Sequence, residues 1–174
     1  MITSISTAIA VLGLVNGAAF AQSVAKPTDV QIANIAFVTG VIDVTAAKLA
    51  LVKSKNKDVI AFANDAIREH EVVNKQVLDL ASKLNITPED NETSLLLRNQ
   101  AANKQSELVL LSGAAYDNAY VASEVAYHKT VSDLLETVLI PAAANSELKS
   151  LLQADLNLFQ DHKQHAEHVA TMLK

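Results

Sequence analysis

The sequence predicts an all-α protein, an antiparallel four-helix bundle with an extra helical segment before its third helix. Three observations predict it. The 174 residues include only four Gly and three Pro, so the chain turns rarely, whereas sandwiches and barrels turn often on those residues. Half the residues are apolar but only 4% are aromatic, and 28 Ala and 22 Leu carry most of the apolar mass. Ala and Leu favour helix, while sheets draw on Val, Ile, Tyr and Trp. Finally, apolar residues recur alternately four and three apart, which is the seam of a left-handed bundle. The length fits one domain. With no Cys, disulfides, thiolate catalysis and Cys-ligated zinc or iron–sulfur are excluded. A net charge of −5 argues against a nucleic-acid partner, which a basic chain would serve better.

Residues 1–21 hold no charged side chain, and Ile5 to Leu14 is an apolar run. Ala19-Phe20-Ala21 places small residues where a signal peptidase cuts, so 1–21 reads as a secretory signal cleaved after Ala21. No Lys or Arg precedes the run, which is unusual for a signal. Gly13, Asn16 and Gly17 leave it short of the ~20 residues needed to span a bilayer. Export to the periplasm or envelope is expected, with no integral membrane span after cleavage. Residues 22–28, with Lys26-Pro27, read as a linker, and 29–174 as the bundle domain.

The first bundle helix starts at a Thr28 or Asp29 cap and runs to about Lys55. Its one glycine, Gly40, costs helix stability and suggests close approach of a neighbour. The second runs from about Asp58 to Leu84 and stops before Pro88, because the residue before a proline disfavours helix. A helical segment follows from about Thr93 to Leu111, with a break at Ser112-Gly113. The third bundle helix covers about Ala114 to Leu139, and Pro141 to Asn145 form a connection. Ser146 is the expected cap of the last helix, which continues nearly to Lys174.

The seams are interrupted by polar residues. The second helix gives Val59, Ala63, Ala66, His70, Val73, Val77, Leu80 and Leu84. The third gives Asp117, Val121, Glu124, His128, Val131, Leu135 and Val138. The last gives Leu148, Leu151, Asp155, Leu158, His162, His165, Val169 and Met172. The first helix carries a single acid, Asp43, in its apolar middle. An unpaired polar group is costly to bury, so these exceptions need partners. Asp43, His70, His128 and His162 each lie within about two residues of their helix centre, which is ~3 Å along the axis. Matched centres place one acid and three imidazoles in one layer.

Imidazole and carboxylate converging inside a bundle can hold a metal ion. The expected ligands are Asp43, His70, Glu124, His128 and His162, and the expected ions are Cu, Zn or Fe. Glu124 lies one turn before His128 and could ligate or orient it, while Glu69, Asp117, Tyr120 and His165 are candidates to support the ligands from outside. The same residues are also consistent with buried pairs, Asp43–His70 and Glu124–His128, completed by Asp117 and Tyr120. In that case the chain is a structural or stress-related envelope protein. Ferritin-type di-iron sites need Glu-x-x-His on two helices, and the chain has none, which counts against an oxidoreductase. No catalytic residue is assigned.

These features together resemble an exported bacterial family of ferritin-like helical proteins, catalogued as domain of unknown function 4142 and often labelled outer-membrane proteins. The resemblance rests on Asp43-Val-Thr-Ala-Ala-Lys-Leu-Ala50, Val59-Ile-Ala-Phe-Ala63 with Glu69-His70, Ser112-Gly-Ala-Ala-Tyr-Asp117 with Tyr120 and His128, and Asp161-His162. Asp43 stands where Glu is common, Glu69 where Asp is usual, and a Leu-Pro before the last His is absent. The resemblance implies a ferritin-like fold and export, and marks Asp43, His70, Asp117, Tyr120, His128 and His162 as motif positions. It implies no activity. A barrel is not expected, since a barrel needs many alternating strands.

Overall fold

The computed structural model describes residues 26–173. The expected signal, 1–21, and the first residues of the expected linker lie outside the described residues. Those described are all-helical, with no strand among them. Helices α1 (Asp29–Lys53), α2 (Lys57–Lys83), α3 (Glu92–Leu108) and α4 (Gly113–Leu134) come first. A π-helical turn (Leu135–Leu139), a short turn α5 (Ile140–Ala142) and α6 (Ser146–Met172) follow.

Side chains start and stop these helices. Thr28 and Gln31 form a reciprocal capping box at the start of α1, and Asn91 and Ser94 do the same at α3. Asn56 accepts from the Asp58 and Val59 amides at the start of α2. The last helix is capped by Asn145, which accepts from the Glu147 and Leu148 amides, rather than by Ser146, which is already helical. Both residue types cap well, and Asn145 holds the extended backbone that a cap requires. At the end of α2, Asn85 takes a left-handed φ of 55°. The Ile86 amide then donates to the Ala81 carbonyl and the Asn85 amide to Ser82, which uses up two orphan carbonyls. Gly113, with φ of 56°, makes the break between α3 and α4.

Helix α1 packs on α2, α2 on α6, α6 on α4 and α4 on α1, while α3 lies over α1 and α4. At one end of α3, Asn34 donates to Asp90 and Ser94; at the other, Lys53 donates to the Val109 carbonyl. Between these ties only Leu97 and Leu108 of α3 are buried apolar anchors.

The interior has two apolar clusters. One contains Ile32, Ile35, Val77, Leu135, Leu152 and Phe159, the other Ala47, Val59, Phe62, Tyr116, Tyr120 and Val169. Each fully buried large side chain contributes roughly 1.5–3 kcal/mol. In α6 the buried row is Leu148, Leu152, Asp155, Phe159, His162, Ala166 and Val169. Leu151, Leu158 and His165 flank it half-buried and Met172 is exposed, because a core-facing stripe is wider than one seam. In α4 the expected row is buried from Asp117 to Leu135, but Leu139 is buried where Val138 is exposed. The π turn is the cause: the Ile140 amide reaches the Leu135 carbonyl five residues back, which shifts the register by one. Pro141, which lacks an amide and clashes with the preceding turn, follows at once.

Helix α1 is also long and apolar enough to cross a membrane, with mean hydropathy 1.9 over an 18-residue window. Half of that window is buried inside the fold.

Candidate metal centre

The four positions picked out by depth, one each on α1, α2, α4 and α6, meet between the two apolar clusters. Asp43, His70 and His128 are fully buried, and His162 is 4% exposed. Each offers one ligating atom, and the four atoms lie within 4.8 Å of one another. The ring centroids of His70, His128 and His162 are 5.0–6.0 Å apart. Phe159 walls one side, 4.7 Å from His70 and 5.3 Å from His128 between ring centroids. Phe62 walls the other, 6.2 Å from His128 and 6.1 Å from His162. Buried side chains therefore hold the imidazoles in place.

The nitrogen available on two of the imidazoles follows from their partners. His128 Nδ1 is 2.8 Å from the Glu124 backbone carbonyl, which can only accept. Nδ1 therefore carries a hydrogen, which leaves Nε2 as the nitrogen that faces Asp43, 3.2 Å from Oδ2. His162 Nε2 is 2.8 Å from Glu69 Oε2, again acceptor-only while ionised, so Nδ1 is the free atom, buried and without a partner. Such outer hydrogen bonds fix the tautomer of a metal-binding imidazole. His70 Nε2 lies 2.6 Å from Asp43 Oδ2. Neither Asp43 oxygen, nor either His70 nitrogen, nor His128 Nε2 has an aligned hydrogen bond. The groups are close without satisfying each other's hydrogen-bonding directions.

Electrostatics reinforce the pairing. Burial pushes the Asp43 carboxyl up, but His128 and His70 more than offset it and hold the group well below its ordinary range. Burial disfavours charge on His70, and the Asp43 carboxylate outweighs it, so its pKa is raised. For His162 burial wins over the Glu69 hydrogen bond and the pKa falls. His70 and His162 are thus shifted in opposite directions, His70 by the Asp43 carboxylate and His162 by burial.

The remaining expected residues sit around the four. Glu124 is buried, with its carboxyl 3.6 Å from His128 Nδ1, beside the cluster and outside the convergent set. Burial and then Asp43 push its pKa well above the usual carboxylate value. Glu69 is held by both His162 and Arg68. Tyr120 is fully buried, its ring 6.2 Å from Phe62 and stacked on Tyr116, with its hydroxyl unpartnered. Asp117 is buried with one oxygen unpartnered. His165 is half-buried against Phe62 at 5.2 Å and is not among the convergent four.

Asp155 is the residue to which sequence reasoning assigned no role. It is buried with neither oxygen hydrogen-bonded, and burial pushes its carboxyl up to about 7, with His70 pulling it down and Asp43 pushing it up. Its signal was present: an acid in the seam two turns before His162.

The buried Asp/His3 group is close enough to hold a metal ion. No curated protein and no solved structure matches the chain. The family model described as "Domain of unknown function (DUF4142)" matches residues 15–169, and the chain belongs to that family.

Proposed function

We propose that the protein is an exported helical bundle that holds one transition-metal ion through Asp43, His70, His128 and His162. The observation that carries this reading is the meeting of four ligating atoms from four helices within 4.8 Å. Three imidazole nitrogens and one carboxylate oxygen suit zinc, copper or iron. Glu124 adds a nearby carboxyl, which could compensate the charge of a divalent ion once it gives up its proton. The contacts of α1, α2, α6 and α4 in a closed ring support an antiparallel four-helix bundle of ferritin-like kind. Signal-like residues 1–21 support a periplasmic or envelope location, where storage, buffering or sensing of metal is the role. The proposal assigns binding, not catalysis, and no nucleic-acid partner.

Calorimetric titration of chelator-stripped protein with copper, zinc and iron tests it. A tight one-to-one isotherm for at least one ion is expected, lost in His70→Ala and in His128→Ala. No isotherm, or one that both variants leave unchanged, overturns it.

A second reading is favoured by one observation: Asp43 already touches both His70 and His128, so its charge is partly compensated without an ion. The layer would then be a structural network that sets helix register, in a stress-related or structural envelope protein. Under this reading no ion binds, while His70→Ala still costs about 1–3 kcal/mol of stability.

A further inference from the structure

A cleft of about 470 Å³ opens between α1, α3 and α4, and it reaches the polar layer. Its size falls in the range of small-molecule sites. Its walls are mostly apolar, formed by Ile42, Leu49, Leu97, Leu108 and the Tyr127 ring. At its deep end are Asp43 and Glu124. Both are at least nine-tenths buried, at 0% and 3% exposure. Apart from the contact between the Glu124 and Asp43 carboxyls themselves, Asp43 Oδ1 and Glu124 Oε2 have no hydrogen-bond partner. Unpartnered buried oxygens are costly, and a ligand group that meets them recovers that cost.

The cleft exists because of how α3 is held. Its ends are tied to α1 by Asn34 with Asp90 and Ser94, and by Lys53 with Val109. Between Leu97 and Leu108 the α3 residues that line the cleft are Arg98, Gln100, Ala101, Ala102, Lys104 and Gln105, each too short or too polar to fill it. The helix therefore spans the gap like a roof, resting on Leu97 and Leu108.

The lining also selects among ligands. The cations at the mouth are already matched: Arg98 lies 3.9 Å from Asp90, and Lys104 is paired with Glu107. They offer little to an anionic headgroup. At the deep end two carboxyl groups would repel one. A hydroxyl both donates and accepts, so it can satisfy a carboxyl in either protonation state.

We propose that this cleft binds a small, uncharged, largely apolar molecule bearing one hydroxyl, with the apolar body between α1 and α3 and the hydroxyl at Asp43 and Glu124. The inference does not rest on an ion in the neighbouring centre. If one is bound, the hydroxyl lies beside it.

The test uses 4-propylphenol as probe, with propylbenzene and 4-propylbenzoate as controls. Each is titrated into the isotopically labelled full chain and followed by amide NMR shifts. Saturable shifts confined to 41–49, 97–108 and 123–130 are expected for the phenol. Propylbenzene should bind about fivefold more weakly, the loss expected for one hydrogen bond. The benzoate should bind more weakly still. Ala101→Trp fills the cleft from its roof and should weaken the phenol at least about tenfold. Ala126→Trp, at an exposed position on the α4 side, does the same without risk to the core, and decides the matter if the first variant misfolds. Phenol shifts outside these segments, propylbenzene binding as tightly as the phenol, or phenol binding untouched by a folded Trp variant each overturn the proposal. A zinc titration on the same proteins separates the two readings. Phenol binding in a chain that takes up no zinc leaves the cleft standing and removes only the metal centre. Zinc binding without phenol binding does the reverse.

Discussion

Asp43 and Asp155 are both buried acids near His70, yet the fold shifts their ionisation in opposite directions. Asp43 touches two imidazoles and stays ionised. Its contribution to stability is present above the ordinary carboxylate range and is lost as pH falls through its depressed pKa. Asp155 has no hydrogen-bond partner and sits near 7. Between about pH 4 and 7 the unfolded chain has lost its proton while the folded chain keeps it, so stability falls as pH rises across that window. The full effect is about 4 kcal/mol for the metal-free protein. Asp155→Asn removes this slope, so the variant gains on the parent as pH rises from 4 to 8. Urea melts across that range check it, and a pH-independent difference between the two refutes it. At this scale the sequence was informative where a polar side chain interrupted an apolar seam, as at His70, His128 and Asp43. It said less about Glu124, because seam spacing fixes which face a residue is on but not whether its oxygen reaches the other ligands. It also gave no sign that His162 would present Nδ1, since that depends on Glu69 approaching from another helix.

At the scale of the helices, α1 and α2 approach closely at Gly40. A Cβ placed there would lie 2.2 Å from Asn74 Oδ1. Overpacking of this kind costs about 1–3 kcal/mol, more than the ~1 kcal/mol that Ala gains over Gly in a helix. Gly40→Ala should therefore destabilise the protein. In an Asn74→Ala background the clash is gone and the same substitution should stabilise. Thermal or urea denaturation of the four proteins gives the coupling, and simple additivity would refute the contact as its source. The sequence exposed Gly40 as a weak point in a helix, but its partner was hidden. Asn74 follows Val73, and spacings of three and four make either residue a plausible seam position. The π turn was hidden for a similar reason. Val138 and Leu139 are both apolar, so a register shift of one leaves the pattern looking intact. The cleft under α3 was invisible in a helix whose sequence is largely polar, because a gap arises from where a helix is tied, not from its composition.

For the molecule as a whole, the all-helical class was legible because Gly and Pro are scarce and the apolar periods are long. The layer was legible because four helices of similar length put their middles at one depth. If the centre takes up an ion, folding and loading are linked. At a free ion concentration 100 times the dissociation constant, the native state gains about 2.7 kcal/mol. For a chain of this size that raises the melting temperature by roughly 5–10 °C. Scanning calorimetry with and without zinc, and after chelation, measures it. Melting unchanged by zinc, copper and iron would count against a centre that binds any of them.

The carboxylate that compensates the imidazoles has a second effect at the level of membrane targeting. Helix α1 is long and apolar enough to cross a membrane, and every 18-residue window within it contains Asp43. An Asp near the centre of a bilayer-crossing helix costs about 2.5–3.5 kcal/mol. One side chain thus serves the folded interior and raises the cost of placing this helix in lipid. In a membrane-insertion reporter carrying residues 29–53, Asp43→Leu should shift the balance toward insertion by about 3–4 kcal/mol. Equal insertion of both segments would show that Asp43 has no such effect.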